Sequence, residues 1–197
     1  MAETSDWRRI LATAWRAMPS GPFFELAEPA DSFLQSLPEE YLTGVEEFGG
    51  REGFLGETYV RLYRLQELVT LNFAYEVPTF LPEVIVFGSN GGGEAFAFRR
   101  RDSAVVQVPF LPMNGEYVEF KEINFVEFIR SLAASGDSSE CNPEAVGMEV
   151  HEKQPICFGG SPTDPANKVL VPAVKHAEIC GFWNRAYRDA VARQKSG

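Results

Sequence analysis

Apolar residues recur every three or four positions at the start of the chain. Trp7, Ile10, Leu11, Ala14, Trp15 and Met18 make one stripe of an amphipathic helix. Ser5 or Asp6 can cap its start, and Pro19-Ser20-Gly21-Pro22 stops it. A stripe with two tryptophans either packs on the parent domain or offers a docking face; packing is the commoner use. A second helix is predicted over 30–37, with Ala30, Phe33, Leu34 and Leu37 inward. Pro38 then suits the first turn of a third helix, where its missing N–H costs nothing. Tyr41, Leu42, Val45 and Phe48 form its inner face, and Gly49-Gly50 ends it.

The period then changes. Phe54 and Leu55 begin β structure, and 59–65 alternates as a strand. Helical spacing returns over 65–73 through Leu65, Leu68, Val69 and Asn72 or Phe73, and Pro78 and Pro82 mark a loop. Strands are predicted over 83–87, 95–99 and 104–110. The first two are joined by Ser89-Asn90-Gly91-Gly92-Gly93-Glu94, a turn that needs left-handed backbone angles. Asn124 can cap a helix holding Phe125, Phe128, Ile129 and Leu132. Residues 136–168 are rich in Pro, Gly, Asn and Asp without a sustained period and read as loop. A last helix covers 174–193, with Ile179, Cys180, Trp183, Tyr187, Ala190 and Val191 as its inner stripe. Strands in succession between helices predict an α+β fold with a largely antiparallel sheet and extra N- and C-terminal helices.

Length and composition narrow the class. The 197 residues suit one domain with additions, and 16 Phe supply core. Three cysteines, Cys141, Cys157 and Cys180, argue against a disulfide framework and fit a reducing compartment. No signal-peptide core or membrane-length apolar run is present, so a soluble, cytoplasmic protein is expected. The net charge is −10, and residues 25–135 hold 18 acids against 8 bases. An acidic body disfavours nucleic acid and anionic lipid and favours a basic protein partner; negative charge also simply maintains solubility.

The chain resembles the SMI1/KNR4 family, the SUKH superfamily, in five segments taken in order. These are Leu37-Pro38-Glu39-Glu40-Tyr41, Gly49-Gly50-Arg51-Glu52-Gly53-Phe54-Leu55-Gly56, and Leu65-Gln66-Glu67-Leu68 with Asn72. The glycine hairpin from Phe87 to Glu94 follows, then Val108-Pro109-Phe110 with the Phe125 to Phe128 helix. Phe48 departs from the Asn common before Gly-Gly in relatives. The resemblance implies an α+β fold with a mixed sheet, and a role without catalysis. Bacterial relatives look like immunity proteins that neutralise polymorphic toxins, often nucleases; fungal ones look like regulators of cell-wall synthesis. It divides the chain into an N-terminal helical extension, 1–24, the SMI1/KNR4-like domain, 25–135, and a loop with a C-terminal helix, 136–197, packing on the same domain.

Chemistry finds little footing. The glycine loop has no following Lys and leads into a strand, so it lacks what a phosphate cradle needs. Glu94 is either a functional carboxylate or a brace for the turn, and the brace is favoured. His176 and Cys180 lie four apart, but Cys180 is on the apolar stripe and no third ligand has zinc spacing. Cys141, His151 and Cys157 cluster by sequence only; a Cys157–His151 dyad competes with the simpler reading of a free buried cysteine. Arg99-Arg100-Arg101 reads as a solvated turn. No catalytic residue, metal or cofactor is therefore nominated.

The expected function is a non-catalytic protein-binding module, an immunity protein for a basic toxin domain. Glu46, Glu47, Glu52, Glu57 and Glu94 would steer the partner, and Tyr59 and Tyr63, with Ser89, Asn90 and Glu94 of the hairpin, would contact it. A regulatory scaffold docking through the terminal helices, and an enzyme or small-ligand binder using the glycine hairpin, are the alternatives.

Overall fold

A computed structural model describes residues 6–14, 33, 35–136 and 145–195. Its centre is a six-stranded sheet in which every strand lies beside its sequence neighbour. The strands are β1 (Glu52–Leu55), β2 (Thr58–Leu62), β3 (Val84–Ser89), β4 (Glu94–Arg99), β5 (Val105–Pro109) and β6 (Glu119–Glu122). All five pairings are antiparallel. Helices α1 (Asp6–Ala14), α2 (Glu39–Phe48), α3 (Leu65–Ala74), α4 (Val77–Phe80), α5 (Phe125–Ala133) and α6 (Ala173–Lys195) surround it. A separate antiparallel pair, β7 (Met148–Glu152) and β8 (Lys168–Pro172), precedes α6. The chain is thus α+β, with helices at both ends of the described fold.

One face of the sheet carries an aromatic core. Tyr41 of α2 sits 5.4 Å from Phe87, 5.1 Å from Phe98 and 5.3 Å from Phe125, ring to ring. Phe87 stacks on Phe98 at 4.2 Å, and Phe128 closes on Phe96 at 5.0 Å. These rings are buried, so each removes a large apolar area from water. Trp7 docks α1 here, edge-on to Phe125 at 5.7 Å. The docking needs a glycine: a Cβ on Gly44 would lie 2.8 Å from the Trp7 ring. Trp7 and Leu11 are buried, so the N-terminal stripe is a packing face; Ser5, Trp15, Met18 and the 19–22 stop lie outside the described residues.

The opposite face is covered by α3, α6 and the β7–β8 hairpin. α3 replaces part of a strand. The Asn72 carboxamide donates to the Val86 carbonyl at 2.8 Å and accepts the Val86 N–H at 2.9 Å. β2 pairs with β3 only near Gly88 and Ser89, so Asn72 satisfies the β3 edge that β2 leaves bare.

Several elements depart from the sequence reading. The stretch 136–168, read as loop, contains β7. Its inward residues are Glu149 and His151, so polar side chains occupy the core phase and the usual alternation is reversed. Pro78 lies in the first turn of α4 rather than in a loop. Of the helix expected over 30–37, residues 30–32 and 34 are outside the described set, and 35–37 form a turn with Leu37 buried. The inner face of α6 is Ala173, His176, Ala177, Cys180, Gly181 and Asn184; Trp183 and Tyr187 sit beside it, half-buried.

Candidate functional site

A row of polar side chains crosses the second sheet face. Glu52, Arg61 and Ser89 are successive cross-strand partners on β1, β2 and β3, so their side chains share one face. All three are buried. The C-terminal hairpin roofs them. Ser89 donates to Glu149 Oε1 at 2.7 Å, Arg61 Nη1 lies 3.7 Å from the same oxygen, and the Gly147 N–H donates to Glu52 Oε1 at 2.5 Å. Arg61 also reaches Glu67 of α3 at 3.5 Å. The backbone joins in, with Val150 N–H donating to the Gly91 carbonyl at 2.9 Å.

Burial dominates the electrostatics here. It pushes the Glu149 carboxyl up to about 7, against the pull of Arg61 and the Ser89 hydroxyl. Glu149 Oε2 and Arg61 Nη1 have no hydrogen-bond partner, so desolvation is not fully offset. Burial likewise raises Glu52, Tyr63 and Tyr75. The row continues through Tyr75, whose hydroxyl lies 2.8 Å from His176 Nδ1, to Cys180 and His151. This is an interior polar seam, and its members are closed to a macromolecular partner.

The expected contact residues separate accordingly. Tyr63 and Ser89 are fully buried and belong to the seam, which removes them from any partner surface. Glu52 is buried too and cannot steer a partner, whereas Glu46, Glu47 and Glu57 are exposed. Tyr59 is half-buried and packs edge-on against Phe54 at 5.3 Å. Asn90 braces the glycine turn, its Oδ1 accepting the N–H groups of Gly92 at 2.9 Å and Glu94 at 3.0 Å. Gly91 and Gly93 hold φ of +67° and +110°, which is why the turn demands glycine. The amides of Gly91, Gly92 and Glu94 are spent inside the loop, and β4 rather than a helix follows, as expected of a hairpin. Glu94 is half-buried, raised by burial while hydrogen-bonded to Gln107.

Cys157 lies in the single turn Ile156–Phe158, and burial pushes its thiol up, the reverse of an activated nucleophile. Cys141 lies outside the described residues. Arg99 grips Asp102 through two hydrogen bonds of 2.9 and 2.7 Å, so the arginine run is a braced turn.

The surface feature that sequence reasoning missed is an aromatic cluster on α6. Phe158 lies 5.0 Å from Trp183 and 6.3 Å from Tyr187, and Phe182 lies 5.4 Å from Trp183. Phe182 is 57% exposed, and Ile156 beside Phe158 in sequence is exposed as well. The signal was the unbroken Phe182-Trp183 pair, two adjacent aromatics that no single helix face can bury.

No family model matches this chain, and no curated protein matches it. Among the described residues no helix is long and apolar enough to cross a membrane.

Proposed function

We propose that this chain is a non-catalytic protein-binding module of the SMI1/KNR4 type, an immunity protein that binds and neutralises a basic toxin domain, nuclease toxins included. The observation that carries the reading is the aromatic cluster around Trp183, from which the Phe182 ring stands exposed. A few anchor residues carry most of the binding energy at protein interfaces, and large aromatic side chains are prominent among them. Exposed acids Glu39, Glu40, Glu46, Glu47 and Glu57 supply the field that accelerates encounter with a basic partner. The polar seam supports the non-catalytic side of the reading, because its ionisable groups are held under the β7–β8 hairpin.

The test is co-expression with toxin domains encoded beside this chain's gene. Survival of the cells, and a complex that weakens with salt, is the expected result. Phe182→Ser and Trp183→Ala should abolish both while leaving the circular dichroism of the chain intact. Failure to protect against every neighbouring toxin sinks the immunity reading.

The position of the cluster on the terminal helix also favours a second reading, a regulatory scaffold that uses α6 to hold a cellular protein. A complex lost on the same substitutions, in cells that carry no toxin, would select it.

A further inference from the structure

His176 and Cys180 stand one turn apart on α6, and His151 reaches them from β7. These are the only two histidines of the chain, brought together from 25 positions apart in sequence. One ligand atom from each of the three residues lies within 4.8 Å of the others, and all three residues are buried. Cys180 Sγ is 3.5 Å from His176 Nε2. A tetrahedral zinc ion bonded to sulfur at about 2.3 Å and nitrogen at about 2.0 Å holds those two atoms about 3.5 Å apart.

The neighbour of the cluster fits the same use. Tyr75 Oη sits 2.8 Å from His176 Nδ1. With Nε2 on a metal, Nδ1 keeps its hydrogen and donates it to Tyr75, the usual way a ligand imidazole is oriented. Both imidazoles are buried, and a metal takes an imidazole in its neutral form. The Cys180 thiol gives up its proton to solvent as the metal binds.

We propose that His151, His176 and Cys180 form a structural zinc site that fastens the β7–β8 hairpin to α6, with Tyr75 as the positioning residue. A water fills the fourth coordination position. This inference does not depend on the protein-binding reading.

The experiment uses the full chain with zinc and, separately, cobalt as probes. Purified protein from zinc-supplemented culture should carry one equivalent of zinc by elemental mass spectrometry. Cobalt exchange should give the intense visible bands of a tetrahedral site and a thiolate charge-transfer band in the near ultraviolet. The Cys141→Ser/Cys157→Ser variant leaves Cys180 as the only thiol without touching the site, so it must keep that band. Cys180→Ala and His151→Gln should lose the metal, and Tyr75→Phe should weaken binding by roughly 10- to 100-fold. Folded wild-type protein that takes up neither metal overturns the proposal. So does a thiolate band lost in the Cys141→Ser/Cys157→Ser variant, or binding that survives Cys180→Ala.

Discussion

Replacing Asn72 with Ala isolates what one side chain does for the sheet. The carboxamide makes three bonds: its Nδ2 donates to the carbonyls of Leu68 and Val86, each at 2.8 Å, and its Oδ1 accepts the Val86 N–H at 2.9 Å. The Leu68 carbonyl is also an acceptor inside α3 and tolerates the loss. Val86 does not, because its residue is fully buried and β2 does not extend alongside it. Two backbone groups are then left dry, at about 1–3 kcal/mol each, so Asn72→Ala should cost about 2–6 kcal/mol. Asn72→Asp keeps the acceptor but turns an anion toward two carbonyls, and should be at least as damaging at neutral pH and less so in acid. Urea titrations followed by tryptophan fluorescence measure both variants. The Val86 amide should also lose protection from hydrogen exchange. A loss below about 1 kcal/mol for Asn72→Ala at unchanged urea slope would refute the idea that this side chain stands in for a strand.

Further outcomes follow from the seam and the docked helices. The Glu149 carboxyl rises from an ordinary 4.5 to about 7 in the fold, so the folded state binds its proton more tightly than the unfolded chain. Its stabilising effect is complete below pH 4.5 and declines as pH rises toward 7, by up to about 3 kcal/mol at about 1.4 kcal/mol per pH unit. Glu149→Gln should flatten stability against pH across that window, and an identical slope in both proteins would reject the assignment. Trp7→Ala should cost about 3–5 kcal/mol in chemical denaturation, as expected for a large buried side chain that leaves a cavity. Trp183→Ala should cost less than about 2 kcal/mol, since its ring is half-exposed; a loss as large as that of Trp7 would mean that α6 packs through that face.

Five strands of the sheet and its first covering layer were legible because their phases are clean, whereas the short β6, mostly exposed, shows no apolar alternation and went unread. Val60 and Leu62 alternate with polar neighbours, and Tyr41, Val45 and Phe48 repeat at helical spacing. The glycine turn was legible because only glycine accepts the backbone angles at Gly91 and Gly93. The last helix was legible in its extent, but β7 and the inward face of α6 were opaque for the opposite reason. β7 turns Glu149 and His151 inward, and α6 turns in His176 and Asn184, so polar residues occupy positions where a pattern reader looks for Leu or Val. Asn184 is held there by its bonds to the Met113 N–H at 2.8 Å and the Phe110 carbonyl at 2.9 Å, which spacing cannot foretell. Ser89 was taken for a surface residue on the same ground: its chemistry is polar, but its partner Glu149 lies 60 positions away.

An engineer wishing to shorten this chain would cut after residue 136, where the sequence changes character. The cut would take Glu149 away from Arg61 and Ser89, leaving Glu52 and Glu67 as the acids beside Arg61, and would bare Tyr75 and Phe110 where His176 of α6 packs on them. Such a fragment should loosen along β1 and β2 and show apolar rings to water as well. The first six strands and the tail after them are therefore expected to melt as one body.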